Sequence, residues 1–270
     1  MEADEILGIQ VKNALQHSSG KVSLAIETKN GRIDINSHKQ MKSASTIKMA
    51  VLLEAFRQID RDLVKPYDII RLQPEDFTEG SGVLFHLGSV KKLSFEDLLT
   101  LMIIVSDNTA SNLIMRIIGI GSVNALLNRL GCKETVLGRQ FMDIQAALVG
   151  IDNFTSAADL VTMLKAVDSG ELLSEDSRRR VLHMLKKQQL LANLHGRIDE
   201  EDEVSVASKS GSLPGVVNDA GIFEYRGNKV FAAVLVNDSP DNHSGQELIA
   251  EIGGYIYDWL KVQESPAKGI

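Results

Sequence analysis

The sequence predicts an α+β fold: one antiparallel sheet drawn from both ends of the chain, helices packed on it, and an all-helical middle. Two patterns predict it. Residues alternate between apolar and polar, the period of a strand, near the start of the chain and again after residue 203. Between those stretches apolar residues recur with a helical period. The third observation is size. With 270 residues, 44% hydrophobic and 24% charged, the chain can bury a sizeable core as one large domain or two intimate ones.

Residues 5–17 place Ile6, Ile9, Val11 and Leu15 roughly on one helical face. Two short alternating runs, 22–27 and 32–36, flank Asn30-Gly31, the strongest short-range hairpin signal. From 45 to 59 the pattern is helical, and Val51, Leu52, Leu53, Ala55 and Phe56 leave so little polar surface that the helix is expected to be buried. Pro66 and Pro74 punctuate a looser region that includes Glu79-Gly80-Ser81-Gly82. Ser94-Phe95-Glu96-Asp97 reads as a capping box ahead of an apolar helix over 98–105. A further helix is expected over 109–118, ended by Gly119 and Gly121. Residues 137–155 show no period, and 157–167 and 175–188 read as helices. Strands are expected over 204–209, 220–225 and 230–236, the last two joined by Arg226-Gly227-Asn228, and 246–260 closes the chain as a helix. Residues 1–37 and 190–270 are therefore assigned to a sheet domain and 38–189 to a helical domain, with the active site expected between them.

Composition excludes several function classes. A net charge of −7 disfavours a nucleic-acid partner, which needs a basic face. The longest apolar run, around 98–105, is too short to span a membrane. The single Cys132 cannot form an internal disulfide or a cysteine zinc cluster, and the six histidines show no ligand spacing. No metal and no cofactor are expected. The first residues, Met1-Glu2-Ala3-Asp4, lack the basic start and apolar core of an export signal, which leaves a cytoplasmic chain or one whose leader was removed.

Three short elements carry the chemistry. In Ser45-Thr46-Ile47-Lys48 the serine and lysine lie three apart, on one face if a helix starts at Ser45. A serine hydroxyl is a weak nucleophile until a base takes its proton, and a lysine can be that base only if burial or a neighbouring cation lowers its pKa. Alone, the element reads more simply as a Ser cap before a surface Lys. Ser106-Asp107-Asn108 lies between two helices, where a simple capping cluster would also fit. Functionally, Ser106 would pass a proton to the leaving group, Asn108 would hold Lys48 and touch a substrate amide, and Asp107 would hold the loop together. Lys209-Ser210-Gly211-Ser212 ends a strand. There Gly211 would admit substrate close to the backbone, Ser212 N–H could donate to an oxyanion, and Lys209 and Ser210 could bind a substrate carboxylate.

The three elements in this order resemble those of the class A β-lactamases and penicillin-recognising serine hydrolases over nearly the whole chain. Thr109-Ala110 and Asn112-Leu113 resemble that family's helix after its second motif. Leu172-Leu173-Ser174, Arg178 and Gln188-Gln189 resemble the segment before its third, and Asn218-Asp219-Ala220-Gly221 its next strand. The resemblance implies a β-lactamase/transpeptidase-like fold with a five-stranded antiparallel sheet. It implies Ser45 as nucleophile, Lys48 as base, Ser106 as proton shuttle, and the N–H groups of Ser45 and Ser212 as oxyanion hole. Lys229 is a candidate for the family's carboxylate-binding arginine. The implied substrate is a small molecule, β-lactam or peptidoglycan-like.

One family element is missing. The Glu-x-x-Leu-Asn loop that activates the deacylating water should lie between Arg139 and Asn153, yet no Glu occurs from Leu137 to Leu160. The Glu position falls near Phe141 and the Asn near Gln145. The family's closing Asp appears as Asn153, so its pairing with Arg139 is expected to weaken. Phe141 cannot orient or deprotonate water. Either the acyl-enzyme is released slowly, or Asp143, or a water held by Gln145, replaces the Glu. An esterase, a D-alanyl-D-alanine peptidase and a sensor that stays acylated are the other readings.

Overall fold

The computed structural model describes residues 3–16, 18–199 and 201–263. In chain order its helices are α1 (Ala3–Leu15), α2 (Lys48–Asp60), α3 (Phe95–Ile104), α4 (Asn108–Ile118), α5 (Ile120–Leu130), α6 (Ile144–Leu148), α7 (Ala157–Ser169), α8 (Glu175–Lys186) and α9 (Asn242–Val262). The strands are β1 (Lys21–Glu27), β2 (Arg32–Ile35), β3 (Met41–Lys42), β4 (Ile69–Arg71), β5 (Lys92–Ser94), β6 (Phe154–Thr155), β7 (Ser205–Leu213), β8 (Val216–Tyr225) and β9 (Asn228–Asn237).

The main sheet is five-stranded and antiparallel, in the order β2-β1-β9-β8-β7. Its strands come from both ends of the chain, so the sequence pattern is realised. Both faces are covered, which is why β1, β8 and β9 are buried along most of their length instead of alternating with solvent. Period-two geometry sorts their side chains between two cores. Ala25, Ala220, Ile222, Ala233 and Leu235 join the core of the middle helices, which contains Phe56 and Phe95. Leu24, Ile26, Val217, Phe223, Val234 and Val236 join the second core, with Leu7 and Val11 of α1 and Ile256 and Trp259 of α9.

Helix α3 begins as its capping box dictates. Ser94 Oγ accepts from Asp97 N at 3.0 Å, and the Asp97 carboxylate accepts from Ser94 N at 3.2 Å. Two helices were not expected: α6 forms inside the stretch read as aperiodic, and α5 follows α4 directly. Gly119 does end α4, with φ +83°, but α5 starts at the next residue and runs through Gly121. The two axes bend by 81° at that break, and their apolar residues enter the helical core. Among the described residues no single helix is long and apolar enough to cross a membrane.

Candidate active site

Ser45 stands between the edge strand β7 and the start of α2. It lies in a 3-10 turn over Ala44–Ile47, and the α-helix itself begins at Lys48. Ala44 adopts φ +47°, a left-handed conformation uncommon for a residue with a Cβ. Neighbours fix the turn from both sides. Asn218 of β8 donates to the carbonyls of Lys42 and Ser43 at 2.8 and 3.1 Å, and Thr46 Oγ1 donates to Ser43 O at 2.7 Å. Gly211 explains how close β7 comes. A Cβ there would lie 2.6 Å from Ser45 N and 2.8 Å from Thr46 N. The missing side chain thus first admits the Ser45 turn itself, and only beyond it the cleft that a substrate would enter.

Lys48 is fully buried beside Ser45. Its Nζ donates to Ser106 O at 2.7 Å, Ser106 Oγ at 3.0 Å and Asn108 Oδ1 at 3.1 Å. Burial, reinforced by the nearby Lys209 charge and opposed by Asp107, pushes its pKa well below the ordinary lysine value. Ser106 is another non-glycine residue in the left-handed region, with φ +55°. Asp107 holds that loop. Its carboxylate caps α4 at Ala110 N, 2.9 Å, and accepts from Val83 N and Leu84 N at 2.7 and 2.8 Å. Gly82 is needed for this contact, since a Cβ there would lie 2.3 Å from Asp107 Cα. Asn108 holds Lys48 as expected, and its Nδ2 already donates to Glu79 O at 3.0 Å.

The third wall is β7. Lys209 is fully buried, and its Nζ donates to Ser210 O at 2.7 Å. Burial lowers its pKa to about 8, against the pull of Asp219. Asp219 is raised to about 7 by burial, although the N–H groups of Leu194 and Ala220 donate to it. Ser210 is buried. Ser212 is exposed, and its Oγ accepts from Asn242 Nδ2 at 2.9 Å. Lys229 does not reach the site. It pairs with Asp168 at 2.5 Å and lies opposite Glu224, at the end of the sheet remote from Ser212.

The loop 137–153 closes the cleft from the other side. Arg139 keeps an ion pair, but with Asp152 instead of the residue at 153: Nε and Nη2 lie 2.9 and 2.8 Å from its Oδ1. Asn153 instead ties the neck of the loop, accepting from Gly138 N and Arg139 N and donating to Arg139 O. The expected weakening of the pair is therefore corrected, because the acid sits one residue earlier. Asp143 and Gln145 are both exposed, and neither lines the cleft. The Asp143 carboxylate caps α6 at Ala146 N, 3.0 Å, which turns it away from Ser45. Phe141 is the residue that faces inward. Asn112 clamps its backbone, accepting from Phe141 N at 2.9 Å and donating to Phe141 O at 3.1 Å. The ring centroid lies 4.2 Å from Lys48 Nζ, cation–π distance.

Ser45 opens into two parts of one cleft. The first, about 440 Å³, is lined by Asn108, Phe141, Met142, Ile144, Ser212 and Leu213 among others. The second, about 260 Å³, is lined by Ser106, Leu190, Leu191, Asn193, Ser210 and Gln246 among others. The profile of the β-lactamase enzyme family matches residues 7–260. The chain belongs to the β-lactamase enzyme family. Its fold is that of β-lactamases of known structure. The β-lactamase from Sphaerobacter thermophilus DSM 20745 is 30% identical, with 95% of this chain and 97% of that one covered and a TM-score of 0.88. A class A β-lactamase from Bacteroides cellulosilyticus DSM 14838 superposes with a TM-score of 0.87 at 20% identity, covering 97% and 99%. A mutant of PBP-A, solved as an acyl-enzyme complex with penicillin G, gives 0.84 at 24% identity, covering 96% and 97%. No protein of curated function matches the sequence.

Within this β-lactamase-family fold, Ser45, Lys48, Ser106, Asn108, Lys209, Ser210, Gly211 and Ser212 converge from three separate segments. Sequence reasoning missed Asp152 as the partner of Arg139 and Asn112 as the clamp on Phe141. For the first, an acid near the end of the aperiodic loop was the available signal. For the second the signal was the resemblance of Asn112-Leu113 to the family's helix, which marks the residue without saying what it holds.

Proposed function

We propose that the protein is a serine hydrolase of the class A β-lactamase type, acylated at Ser45 and released slowly. The observation that carries this reading is the buried Lys48, held by Ser106 and Asn108 beside a serine whose hydroxyl has no hydrogen-bond partner among the described residues. A lysine whose pKa is lowered by burial gives up its proton more readily than an ordinary lysine, which suits it to act as a base.

In the proposed sequence the Lys48 amine takes the Ser45 proton as Oγ bonds the acyl carbon. The N–H groups of Ser45 and Ser212 receive the oxyanion, a contribution typically worth about 10²–10³ in rate per donor. Collapse breaks the bond to the leaving nitrogen or oxygen. Ser106 passes its proton to that atom and regains one from Lys48. Water must then cleave the acyl ester. Among the described residues the one carboxylate lining the cleft is Asp152, already bound to Arg139, and the sequence reading puts the family's Glu position near Phe141, whose ring faces Lys48. An acyl-enzyme that outlives its formation is the expected consequence. The alternative of an esterase is favoured by the lining, where, among the described residues, the one cation, Arg139, is paired with Asp152.

A chromogenic cephalosporin tests the reading. A burst of about one equivalent per enzyme, followed by much slower turnover, is expected. Sustained turnover without a burst would contradict slow release, and no product at all would contradict β-lactam acylation.

A further inference from the structure

Gln188 lies just past the end of α8, buried, and does not line the cleft. Its amide meets three separate parts of the molecule. Nε2 donates to Ile103 O at 3.2 Å and, at the longer distance of 3.5 Å, to Ser208 O. Oε1 accepts from Gln189 N and Leu190 N, each at 3.0 Å. An amide side chain carries two N–H donors and two acceptor lone pairs, so every one of them is used here. Glutamate would offer acceptors alone, and methionine neither.

Each partner leads to a wall of the Ser45 cleft. Ile103 belongs to the last turn of α3, where the final carbonyls have no partner within the helix. Gln188 takes the carbonyl of Ile103, and Gln189 N donates to that of Ile104 at 2.9 Å. The chain then passes through Val105 to Ser106, whose left-handed backbone presents both its carbonyl and its hydroxyl to Lys48. Asp107 secures the far side of this loop, and Gln188 with Gln189 secures the near side. Ser208 directly precedes Lys209 on the edge strand β7, and Leu190 lines the second part of the cleft beside Ser106. One buried amide thus ties the Ser106 loop to the Lys209 strand and to the rim at Leu190.

We propose that Gln188 is a positioning residue for the departure of the leaving group, holding Ser106 where its hydroxyl hands a proton to the departing atom. This rests on Ser45 acylation and the Ser106 proton transfer proposed above, and it adds a residue that touches neither substrate nor Ser45. The two roles open to a buried amide differ in what they spare. A purely structural amide, once lost, slows every reaction of Ser45 alike. A positioning amide, once lost, slows those whose leaving group needs a proton. The amine expelled from a β-lactam needs one, whereas p-nitrophenolate departs as a stable anion.

The test compares second-order acylation constants for penicillin G, phenyl acetate and p-nitrophenyl acetate in the wild type, Gln188→Met and Gln188→Glu, with peptide mass spectrometry to place the adduct on Ser45. Methionine keeps the volume and loses every hydrogen bond, and glutamate sets an acceptor against two carbonyls. Both variants are expected to lose about 10–100-fold with penicillin G, the scale of a small misplacement of a catalytic group, and less than about threefold with p-nitrophenyl acetate. Ser106→Ala should show the same selective loss. The p-nitrophenol burst counts competent chains, so the ratio of constants holds even where part of a variant is unfolded. A ratio unchanged from the wild type would overturn the proposal, whether both constants fall or neither does. An ester that fails to label Ser45 while penicillin G succeeds would overturn it too, and Ser45 acylation would stand. If the esters label Ser45 and penicillin G does not, β-lactam acylation fails, and phenyl acetate, with its poorer leaving group, decides the role of Gln188 against p-nitrophenyl acetate. If nothing labels Ser45, both readings fail.

Discussion

At the scale of single residues, Lys48 and Phe141 divide the chemistry. Complete burial, with the neighbouring Lys209 charge, lowers the Lys48 pKa against the pull of Asp107, while the Phe141 ring face lies against the same nitrogen. Because only the amine accepts the Ser45 proton, acylation should rise with pH as Lys48 deprotonates and then level off. Lys48→Met should lower acylation by roughly 10²–10⁴, read from the burst rate, without removing the fold. Phe141→Glu should act twice. A carboxylate beside Lys48 raises the lysine pKa, moving the acylation profile to higher pH, and it supplies a base for water, speeding deacylation by about 10²–10⁴. An unchanged slow phase in that variant would show that Phe141 does not occupy the water-activating position. Cys132 illustrates the opposite case. Burial and the adjacent Asp159 push its thiol up to about 12, so a thiol reagent at pH 8 should modify the unfolded protein and leave the native one untouched.

At the scale of elements, the three motifs were legible because each sits at the end of a regular segment and is made of residue types with definite chemical work. The turn ahead of α2 was not legible. Ala44 has an ordinary side chain, and its left-handed φ is imposed by Asn218 and β7, which lie far away in sequence. Helix α5 was hidden for a different reason. Gly119 and Gly121 both read as stops, whereas only Gly119 takes a positive φ. In the loop, the missing Glu was legible, but the inward turn of Phe141 and the outward turn of Asp143 depend on Asn112 and on the cap of α6. The close approach of β7 to the Ser45 turn gives a sharp prediction. Gly211→Ala places a Cβ against two backbone nitrogens, neither of which can rotate away. It should lower stability by about 1–3 kcal/mol in urea unfolding, and it should slow acylation by displacing Ser45.

For the whole molecule, the sheet is a wall between two cores, and charges are buried on it. Lys209 points toward the helical side, while Asp219 reaches Leu194 on the other. Their shifts have opposite consequences for stability. Asp219 titrates at about 7 in the folded protein against 3.8 as its ordinary value, so between those pH values the native state keeps a proton that the unfolded chain has lost. Stability from this group is therefore full below about pH 4 and declines as pH rises to about 7. Lys209 titrates at about 8 against 10.5, so between pH 8 and 10.5 the unfolded chain holds the extra proton and stability rises with pH. Asp219→Asn should flatten the decline between pH 4 and 7 by about 2–4 kcal/mol, measured by urea unfolding at pH 5 and 7. The overall architecture was legible because strand and helix periods fall in different parts of the chain. The two-sided burial of the sheet was legible only in part, since it also depends on α1 and α9 packing together across its back.

The central claim concerns Ser45, and intact-protein and peptide mass spectrometry after brief exposure to penicillin G tests it most directly. The prediction is one covalent adduct per chain, on the peptide containing Ser45, that decays slowly on removal of the drug and is absent from Ser45→Ala. An adduct that persists in Ser45→Ala, or a chain that stays unmodified at saturating drug with no penicilloate released, would contradict it.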